Sequence, residues 1–205
     1  MPRPRFHKLP SEHQQSILRA ALDEFAAHGF HDASLNRIIT AAGISKGSMY
    51  YYFDGKEDLY AHLARVEVGR LFDAAGPFPI PTARTPEAFW SALLADYLRI
   101  MGALASSPQV AALARGWIAA SANPALQRAQ KEMEAAVLPW FAQTLVAGQR
   151  ARAVRKDLPL DLLIAVVFGM GQAIDAWFLM QQLDDKALRK LVPVFLGFFR
   201  RALSP

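Results

Sequence analysis

A short segment near the amino terminus concentrates hydroxyl groups, tyrosines and a cation of the kind that bind phosphate. It reads Gly43-Ile-Ser-Lys-Gly-Ser-Met-Tyr-Tyr-Tyr-Phe53 and is soon followed by Lys56. Hydroxyl and ammonium groups are among the side-chain groups that contact the phosphates of nucleic acids. A helix amino terminus adds unpaired N–H groups and a positive dipole end. The segment therefore predicts a surface that binds a polyanion.

Two short helices are predicted to position these side chains. An apolar stripe at helical spacing marks the first helix, and it consists of Leu35, Ile38, Ile39 and Ala42. Ser34 precedes the stripe at an N-cap position, and Gly43 follows it where a left-handed backbone is expected. Ser45 then caps a second helix, which Met49 and Phe53 can anchor to the core. Two helices around such a turn form a helix-turn-helix, whose second helix enters the major groove.

This pattern resembles the signature of the tetracycline-repressor (TetR) family. The resemblance extends to Lys56-Glu-Asp-Leu59 and to the upstream helix with Ile17, Leu18, Ala21, Phe25 and Gly29-Phe30, and it covers roughly the first 60 residues. It implies an all-α protein that acts as a homodimeric repressor. We expect a three-helix helix-turn-helix DNA-binding domain at 1–55 and a connecting fourth helix at 56–75. Residues 76–205 are then expected to form a larger helical domain for ligand binding and dimerisation.

The resemblance assigns DNA-binding roles residue by residue. It places Ser34 on a phosphate and Asn36 and Arg37 near the groove or backbone. It implies that the first residues of the second helix face the bases, and these residues are Ser45, Lys46 and Gly47. It assigns further phosphate contacts to Ser48, Tyr50, Tyr51 and Lys56. The chain departs from the family pattern twice: Ile39 stands where a small residue is usual, and Asp54 brings an acid close to the expected DNA backbone.

Several of these residues also allow a plainer interpretation. Tyr50 to Phe53 could form an aromatic core cluster, although only Met49 and Phe53 share a helix face, so the three tyrosines cannot all be buried. Lys56 and Asn36 could simply be solvated. Arg3, Arg5 and Lys8 form a basic arm with no acid before Glu12, and such an arm either reaches into a minor groove or stays a solvated tail.

Composition limits the function without deciding it. The chain has 205 residues, 53% of them apolar, and no cysteine, so disulfides and thiolate chemistry are excluded. The net charge of +5 lies entirely in residues 77–205, because residues 1–76 hold nine basic and nine acidic residues. The motif, and not the charge, therefore indicates DNA binding. We expect no targeting segment and no membrane span, and a cytoplasmic protein.

The rest of the chain is predicted to be helical. A capping box of Ser11 and Gln14 opens a first helix that ends near His28. Prolines 77, 79 and 81 enforce an extended linker. Later helices are marked by a cap residue before proline, at Thr85-Pro86, Ser107-Pro108 and Asn123-Pro124. The last of these runs to about Arg152 with a kink at Pro139. Helices at about 160–183 and from near Asp185 complete the chain, and the final one is kinked at Pro193 or begins late.

Two tasks are predicted for the carboxy-terminal part. The first is dimerisation through the last two helices, on a row of small residues (Ala165, Gly169, Ala173 and Ala176) and on an apolar final helix; an intramolecular core is the alternative. The second is binding of a small, largely apolar effector by aromatic residues with a few polar groups. The candidate pocket residues are Trp90, Tyr97, Met101, Trp117, Phe141, Phe168, Gln172 and Asp175.

Asp175 has three possible partners at this stage: a cationic ligand, Arg115, or a group across the dimer. No nucleophile motif and no metal-ligand spacing among the histidines indicates an enzyme. We therefore expect no catalytic residue, no metal and no cofactor. The predicted partners are a double-stranded DNA operator, a small-molecule effector and a second copy of the chain. The alternative function is a DNA-binding activator or architectural protein without an effector.

Overall fold

The computed structural model describes residues 2–120, 122–181 and 183–205, and for Asp185 the backbone alone. Over these ranges the chain is all-α, with nine α-helices, one short 3₁₀ helix at Phe6–Lys8 and no strand. The α-helices are α1 (Ser11–Asp32), α2 (Leu35–Ala42), α3 (Lys46–Tyr52), α4 (Lys56–Ala75), α5 (Pro86–Ala105), α6 (Pro108–Ala119), α7 (Pro124–Arg150), α8 (Leu160–Gln181) and α9 (Asp185–Leu203). The all-helical prediction is confirmed.

Most of the predicted helix starts carry the expected caps. The Thr85 side chain accepts a hydrogen bond from the Ala88 N–H, and the Asn123 side chain accepts one from the Ala125 N–H. Ser107 makes no such bond, and its ψ of 74° differs from the extended value of Thr85. The chain runs helically through Pro193, and α9 begins at Asp185, so a late start is excluded.

The start of α1 differs from its predicted capping box. Its N-cap is Pro10, whose carbonyl accepts hydrogen bonds from the N–H groups of His13 and Gln14. The Gln14 side chain donates to the Leu9 carbonyl and does not reach back to Ser11. The box at Ser11 is therefore wrong, because the extended backbone of Pro10 moves the cap back by one residue. At the other end, helical geometry is interrupted at Gly29 (φ 68°, ψ 179°), directly after the predicted end.

Contacts divide the chain into two units. Unit 1 comprises Met1–Arg70 and Ser107–Met133, and unit 2 comprises Leu71–Ser106 and Glu134–Pro205. This division differs from a boundary that simply follows chain order near residue 76, because α6 packs within unit 1. The buried Tyr60 hydroxyl donates to the Leu113 carbonyl at 2.9 Å, and the Trp117 ring stacks on the Tyr60 ring with centroids 5.7 Å apart.

Unit 2 has two apolar clusters. The first joins buried residues of α5, α7, α8 and α9, namely Phe89, Trp90, Leu145, Leu163 and Leu203, with Val154 from the loop after α7. The second consists of Met101, Phe178, Leu188 and Val192. Gly148 of α7 lies where a Cβ atom would be 2.5 Å from Val154 Cγ2 and 2.7 Å from Phe89 Cζ. This close approach explains why a residue unfavourable in helices stands in the last turn of α7.

The outer faces of α8 and α9 remain apolar and exposed. Met180 is 61% exposed and Val194 is 55% exposed, and the other large apolar residues on these faces are Leu162, Val166, Trp177 and Phe198. Three residues of the predicted small-residue row, Ala165, Gly169 and Ala173, are exposed as well. By length and composition alone, α5 and α8 would each be able to cross a membrane. Core helices of soluble proteins meet the same criterion.

Candidate nucleic-acid interface

The turn between α2 and α3 has the left-handed geometry that its glycine predicted. Gly43 adopts φ 66° and ψ 29°, and its N–H donates to the Thr40 carbonyl at 3.2 Å. The Ile44 N–H donates to the Ile39 carbonyl at 3.2 Å, which closes the end of α2. Ile39, the departure from the family pattern, is buried in the core of unit 1. Its larger side chain is therefore accommodated by apolar packing.

Cap residues begin both helices of this motif. The Ser34 hydroxyl accepts a hydrogen bond from the Arg37 N–H, and the Ser45 hydroxyl accepts one from the Ser48 N–H at 3.0 Å. The hydroxyls of Ser45 and Ser48 are also hydrogen bonded to each other at 2.8 Å. These bonds fix the first turn of α3, so the serines shape the amino end of the helix as well as lining it.

The two faces of α3 differ as expected. Met49 and Phe53 are buried against unit 1, while Lys46 and Gly47 are exposed at the helix start. Tyr50 is 44% exposed and Tyr51 is 46% exposed. The interpretation that all these aromatics form a core cluster is therefore excluded. The exposed side presents a helix amino end, an ammonium group and two phenols.

Arg37 holds the motif together in addition to any role toward DNA. Its guanidinium forms a bidentate pair with the Glu24 carboxylate, at 2.6 to 3.0 Å, and also donates to the Asp32 carbonyl. The same carboxylate accepts the Ser34 N–H at 2.7 Å. The hydrogen bonds from Arg37 lower the pKa of Glu24. Arg37 thus links α1 to α2, and its place near the groove or backbone, which the resemblance implies, stays a prediction.

Lys56 also has an internal task that the sequence did not reveal. Its ammonium group donates to the carbonyls of His31 and Ala33 at 2.9 and 3.1 Å, and it lies 4.9 Å from the centre of the Phe30 ring. These carbonyls stand at the end of α1, where a cation is favourable. Lys56 is therefore not simply solvated. Two of its three donors are used within the protein, so a phosphate contact has only one left.

Asn36 and the basic arm behave differently from each other. Asn36 is exposed at the start of α2, as either interpretation allowed. The arm is not a solvated tail: Phe6 is buried, and Arg3 forms an ion pair with Asp54 at 2.6 Å. The repulsion expected from Asp54 is therefore compensated by a cation of the same chain. A phenylalanine in an otherwise polar arm was the signal that could have indicated this packing.

His62 on α4 packs against this arm. Its ring lies 5.3 Å from the Phe6 ring and 5.9 Å from the His7 ring, measured between centroids. Burial, together with the nearby positive charges of His7 and Arg65, lowers the pKa of His62 to about 4, although Asp58 acts in the opposite direction. The folded protein therefore holds this imidazole neutral.

We expect this histidine to make folding sensitive to acid. The unfolded chain takes up a proton near pH 6.5, which the folded protein does not accept until about pH 4. The contribution of His62 to stability is thus complete above pH 6.5 and is lost as the pH falls toward 4. Urea unfolding at several pH values should show a flatter profile for His62→Phe than for wild type. His13→Gln, at an exposed position, should keep the wild-type profile; equal slopes for all three would contradict this explanation.

The candidate effector residues do not form one cluster. Trp117 belongs to unit 1, where its ring stacks on Tyr60, so its assignment to a pocket in the carboxy-terminal domain is corrected. The others lie in unit 2. Trp90 is buried beside Phe89, and Met101 is buried in the second cluster. Phe141 contacts Phe168 with ring centroids 5.6 Å apart.

The polar candidates of unit 2 pair with other side chains. The Tyr97 hydroxyl donates to the Asp175 carboxylate, and Gln172 donates to Glu134. Burial raises the pKa of Asp175, against the opposing effect of the hydrogen bond from Tyr97. Burial, with the charge and hydrogen bond of Asp175, also raises the pKa of Tyr97. The observed donor to Asp175 is therefore the tyrosine of α5, which was not among the three partners considered from the sequence.

Unit 2 also contains an open groove that sequence reasoning did not identify. Its volume is about 550 Å³, and its lining combines small residues with two arginines. The lining residues are Ala74, Ala75, Ala95, Leu98, Arg99, Gly102, Ala103, Ser106 and Arg189. Arg99 is held by the Pro77 carbonyl and the Asp96 carboxylate. Alanine and glycine carry no distinctive pattern in a helical sequence, so no signal marked this groove.

Comparison with known proteins places this interface in a known domain. Residues 17–63 match the family model described as bacterial regulatory proteins, tetR family. Over 55 residues the chain is 46% identical to the transcriptional regulator RutR of Escherichia coli, and over 62 residues it is 37% identical to the repressor AcnR of Corynebacterium glutamicum. These matches cover 27% and 30% of this chain, and 26% and 33% of the relatives. The chain thus matches only about a quarter to a third of their length.

Solved structures extend the likeness in fold to nearly the whole chain. The fatty acid degradation regulator FadR of Bacillus halodurans has a TM-score of 0.67 at 23% identity, covering 89% of this chain and 97% of that one. FadR of Bacillus subtilis, solved with stearoyl-CoA, has a TM-score of 0.67 at 20% identity, covering 90% and 96%. At these identities the likeness concerns the fold alone.

Proposed function

The amino-terminal domain belongs to the tetR family of bacterial regulatory proteins, and on this premise we propose that the chain is a ligand-responsive transcription repressor. The observation that carries this proposal is the exposed amino end of α3. Ser45 caps it, Lys46 and Gly47 project from it, and Tyr50 and Tyr51 lie exposed beyond it. Such an end suits entry into a major groove, where the first residues of a recognition helix meet base edges.

In this proposal, some side chains of α3 contact bases and others contact phosphates. Lys46, together with Ser45 and Gly47, faces the bases and decides which sequence is preferred. Tyr50 and Tyr51 contact phosphates on either side, with Ser34, Ser48 and Lys56 as further candidates. Base contacts give sequence preference, whereas phosphate contacts give affinity that falls with salt. Asn36 and Arg37 are assigned to the neighbourhood of the backbone.

A homodimer is the second part of the proposal. It is supported by the exposed apolar faces of α8 and α9, where Trp177, Met180, Val194 and Phe198 lie open. The rings of Trp177 and Phe198 are joined through Phe195, and contiguous exposed apolar groups mark interaction sites. In a symmetric dimer two recognition helices would reach successive major grooves about 34–36 Å apart, so the operator should be a near-palindrome.

The third part is release by a small, largely apolar effector bound within unit 2. The FadR neighbour was solved with stearoyl-CoA, which supports an apolar ligand in this fold. The residues proposed to bind it are Trp90, Tyr97, Met101, Phe141, Phe168, Gln172 and Asp175. Helix α4 continues from unit 1 into unit 2, so a ligand that prefers one position of α4 would alter the DNA-binding state. Couplings of this kind are typically about 1–3 kcal/mol.

A regulator of this class is not an enzyme and acts where bacterial DNA lies, in the cytoplasm. An activator, or an architectural protein without an effector, is the alternative function. The two differ in their response to ligands, because a sensor gains stability from an effector by mass action. A thermal-shift screen with lipophilic small molecules therefore separates them: a stabilising compound that also weakens DNA binding supports the repressor.

A gel-shift experiment tests the DNA-binding function. Wild-type protein is titrated onto the DNA that flanks its own gene and onto unrelated DNA of equal length. We expect Tyr50→Ala to weaken binding to both, because one phosphate contact is lost, and to leave the salt slope nearly unchanged, because a phenol carries no charge. Lys46→Ala should instead change the preferred sequence.

Two results would contradict the proposal. The first is a wild-type protein that binds all DNA fragments with equal affinity, and the second is a Tyr50→Ala protein with unchanged affinity. Sedimentation of the same samples tests the dimer, since only monomer at micromolar concentration would exclude it. Tyr50 is exposed, so circular dichroism of the variant should match wild type and serves as the control for folding.

A further inference from the structure

The basic arm at Arg3–Lys8 is folded against the candidate recognition helix. We propose that this arm is a fixed part of the DNA-binding surface and that Arg5 binds a backbone phosphate beside Tyr51. The inference rests on the proposed DNA-binding function and adds to it a residue outside the matched family region, which begins at residue 17. Three observations support it: the arm is anchored in the core, Arg3 is paired, and the Arg5 guanidinium lies against Tyr51.

Phe6 anchors the arm in the core of unit 1. Its side chain is fully buried, and its ring lies 4.8 Å from the Phe53 ring and 5.3 Å from the His62 ring. Burying a phenylalanine contributes about 1.5–3 kcal/mol, enough to hold a short segment in one place. A backbone hydrogen bond from the Arg3 N–H to the Tyr52 carbonyl, 2.8 Å long, joins the arm to the last residue of α3.

Arg3 neutralises the acid nearest to the recognition helix. Its guanidinium donates to Asp54 Oδ1 from Nε at 3.0 Å and from a terminal nitrogen at 2.6 Å. Both side chains are largely exposed, so the pair adds little to stability. Its effect is electrostatic, because a lone carboxylate just beyond α3 would oppose a phosphate. With Arg3 engaged, the cation of the arm that is left for a partner beside α3 is Arg5.

Arg5 is placed by a stacking contact. Its guanidinium carbon lies 4.1 Å from the centre of the Tyr51 ring. At that distance the cation contacts the face of the ring, and no hydrogen bond uses the N–H groups of Arg5 within the part of the chain that the structure describes. An arginine held against an aromatic ring loses less freedom when it binds than a free one, and its fork matches two phosphate oxygens. Tyr51 and Arg5 together form one phosphate-binding unit.

The geometry favours contact of Arg5 with a backbone phosphate over entry of the arm into the minor groove. Arms that read the minor groove are extended chains that reach around the duplex. Here the 3₁₀ helix at Phe6–Lys8 and the buried Phe6 keep the segment compact against α3 and α4. Arg5 therefore lies where Tyr51 lies, among the groups expected to flank the groove. Contact there adds affinity without adding sequence preference.

Arg5→Ala tests this inference in full-length protein with the operator fragment. We expect affinity to fall roughly tenfold per subunit near 0.1 M salt, with the slope of log K against log salt reduced by about 0.9 for each Arg5 removed. The preferred DNA sequence should not change. Arg5→Lys keeps the charge but loses the guanidinium fork, so its affinity should lie between those of wild type and Arg5→Ala.

Lys8→Ala is the matched control, because Lys8 is an exposed cation of the same arm that makes no contact with Tyr51. We expect it to change the affinity by less than about threefold, the scale of a screened exposed charge. Equal losses for Arg5→Ala and Lys8→Ala would overturn the inference, since only general electrostatics would be at work. A changed preference for base pairs flanking the operator would also overturn it, in favour of the minor groove.

The proposed function and this inference fail in different ways. A wild-type protein that binds no DNA overturns both. A wild-type protein that binds its operator while Arg5→Ala binds with unchanged affinity and salt dependence overturns the inference alone. Arg5 is exposed, so its removal should leave the melting curve unchanged. A melting curve that shifts only for Arg5→Ala would show a structural role for the arm and would also count against a phosphate contact.

Discussion

Gly43→Val is expected to lower DNA affinity roughly 30-fold and to reduce the free energy of unfolding by about 2 kcal/mol. Gly43 has a φ of 66°, a conformation that costs an L-residue about 1–2 kcal/mol and a β-branched residue more. No atom lies within 4 Å of a Cβ placed there, so the cost comes from the backbone and not from a clash. If the turn relaxes to relieve the strain, α3 leaves its position, and about 2 kcal/mol corresponds to that loss of affinity.

Gly43→Asn is the control for this prediction. Asparagine tolerates the left-handed conformation far better than valine, because its short polar side chain bonds to the local backbone. We expect Gly43→Asn to keep operator affinity within a fewfold of wild type. Gel-shift titration and urea unfolding of both variants provide the measurements. If valine and asparagine behaved alike, the conformation of this turn would not be what positions α3.

Gly148→Ala should destabilise unit 2 by up to about 2 kcal/mol, although alanine favours helices. The new methyl group would lie 2.5 Å from Val154 Cγ2 and 2.7 Å from Phe89 Cζ. Both neighbours are buried, so neither can move aside without displacing the rest of the cluster. Overpacking of this kind costs about 1–3 kcal/mol, whereas glycine to alanine in a helix returns about 1 kcal/mol. The clash therefore outweighs the gain in helix propensity.

For Gly171→Ala in the same unit we expect the opposite change in the free energy of unfolding. Nothing lies within 4 Å of a Cβ at Gly171 in α8, so only the helix preference acts, and we expect up to about 1 kcal/mol of stabilisation. Thermal and urea unfolding of the two variants should thus move in opposite directions. If Gly148→Ala proved as stable as Gly171→Ala, the packing around Phe89 would be looser than the structure indicates.

Local chemistry made much of the fold predictable. The caps at Ser34, Ser45 and Thr85 and the glycine after α2 act within four residues, so their sequence positions carry the information. The bounds of α4 at 56–75 follow from its apolar spacing and from the prolines beyond it. The placement of α6 with the amino-terminal helices was not predicted, because it depends on Tyr60 meeting Leu113, 53 residues away.

Candidate site residues were harder to assign, for a related reason. Helical spacing predicts which side chains of a helix are exposed, and Tyr50 and Tyr51 lie at the surface as expected. The partners of a long charged side chain are not readable from spacing. Arg37 bonds to Glu24 and Lys56 bonds to the end of α1, so both hold the motif together as well as carrying charge. The resemblance to a family assigned them to DNA because it records position and not contact.

The exposed start of α3 has a consequence for how such a protein can acquire new targets. Lys46 and Gly47 make no contact on which the core depends, and a Cβ at Gly47 would meet only the Ser45 hydroxyl, at an ordinary 3.7 Å. Exchanges at these two positions should therefore alter operator choice at almost no cost in stability. Ser45, Met49 and Phe53 hold α3 in place, so substitutions at Lys46 and Gly47 can change the DNA sequence that is recognised while the rest of the fold stays the same.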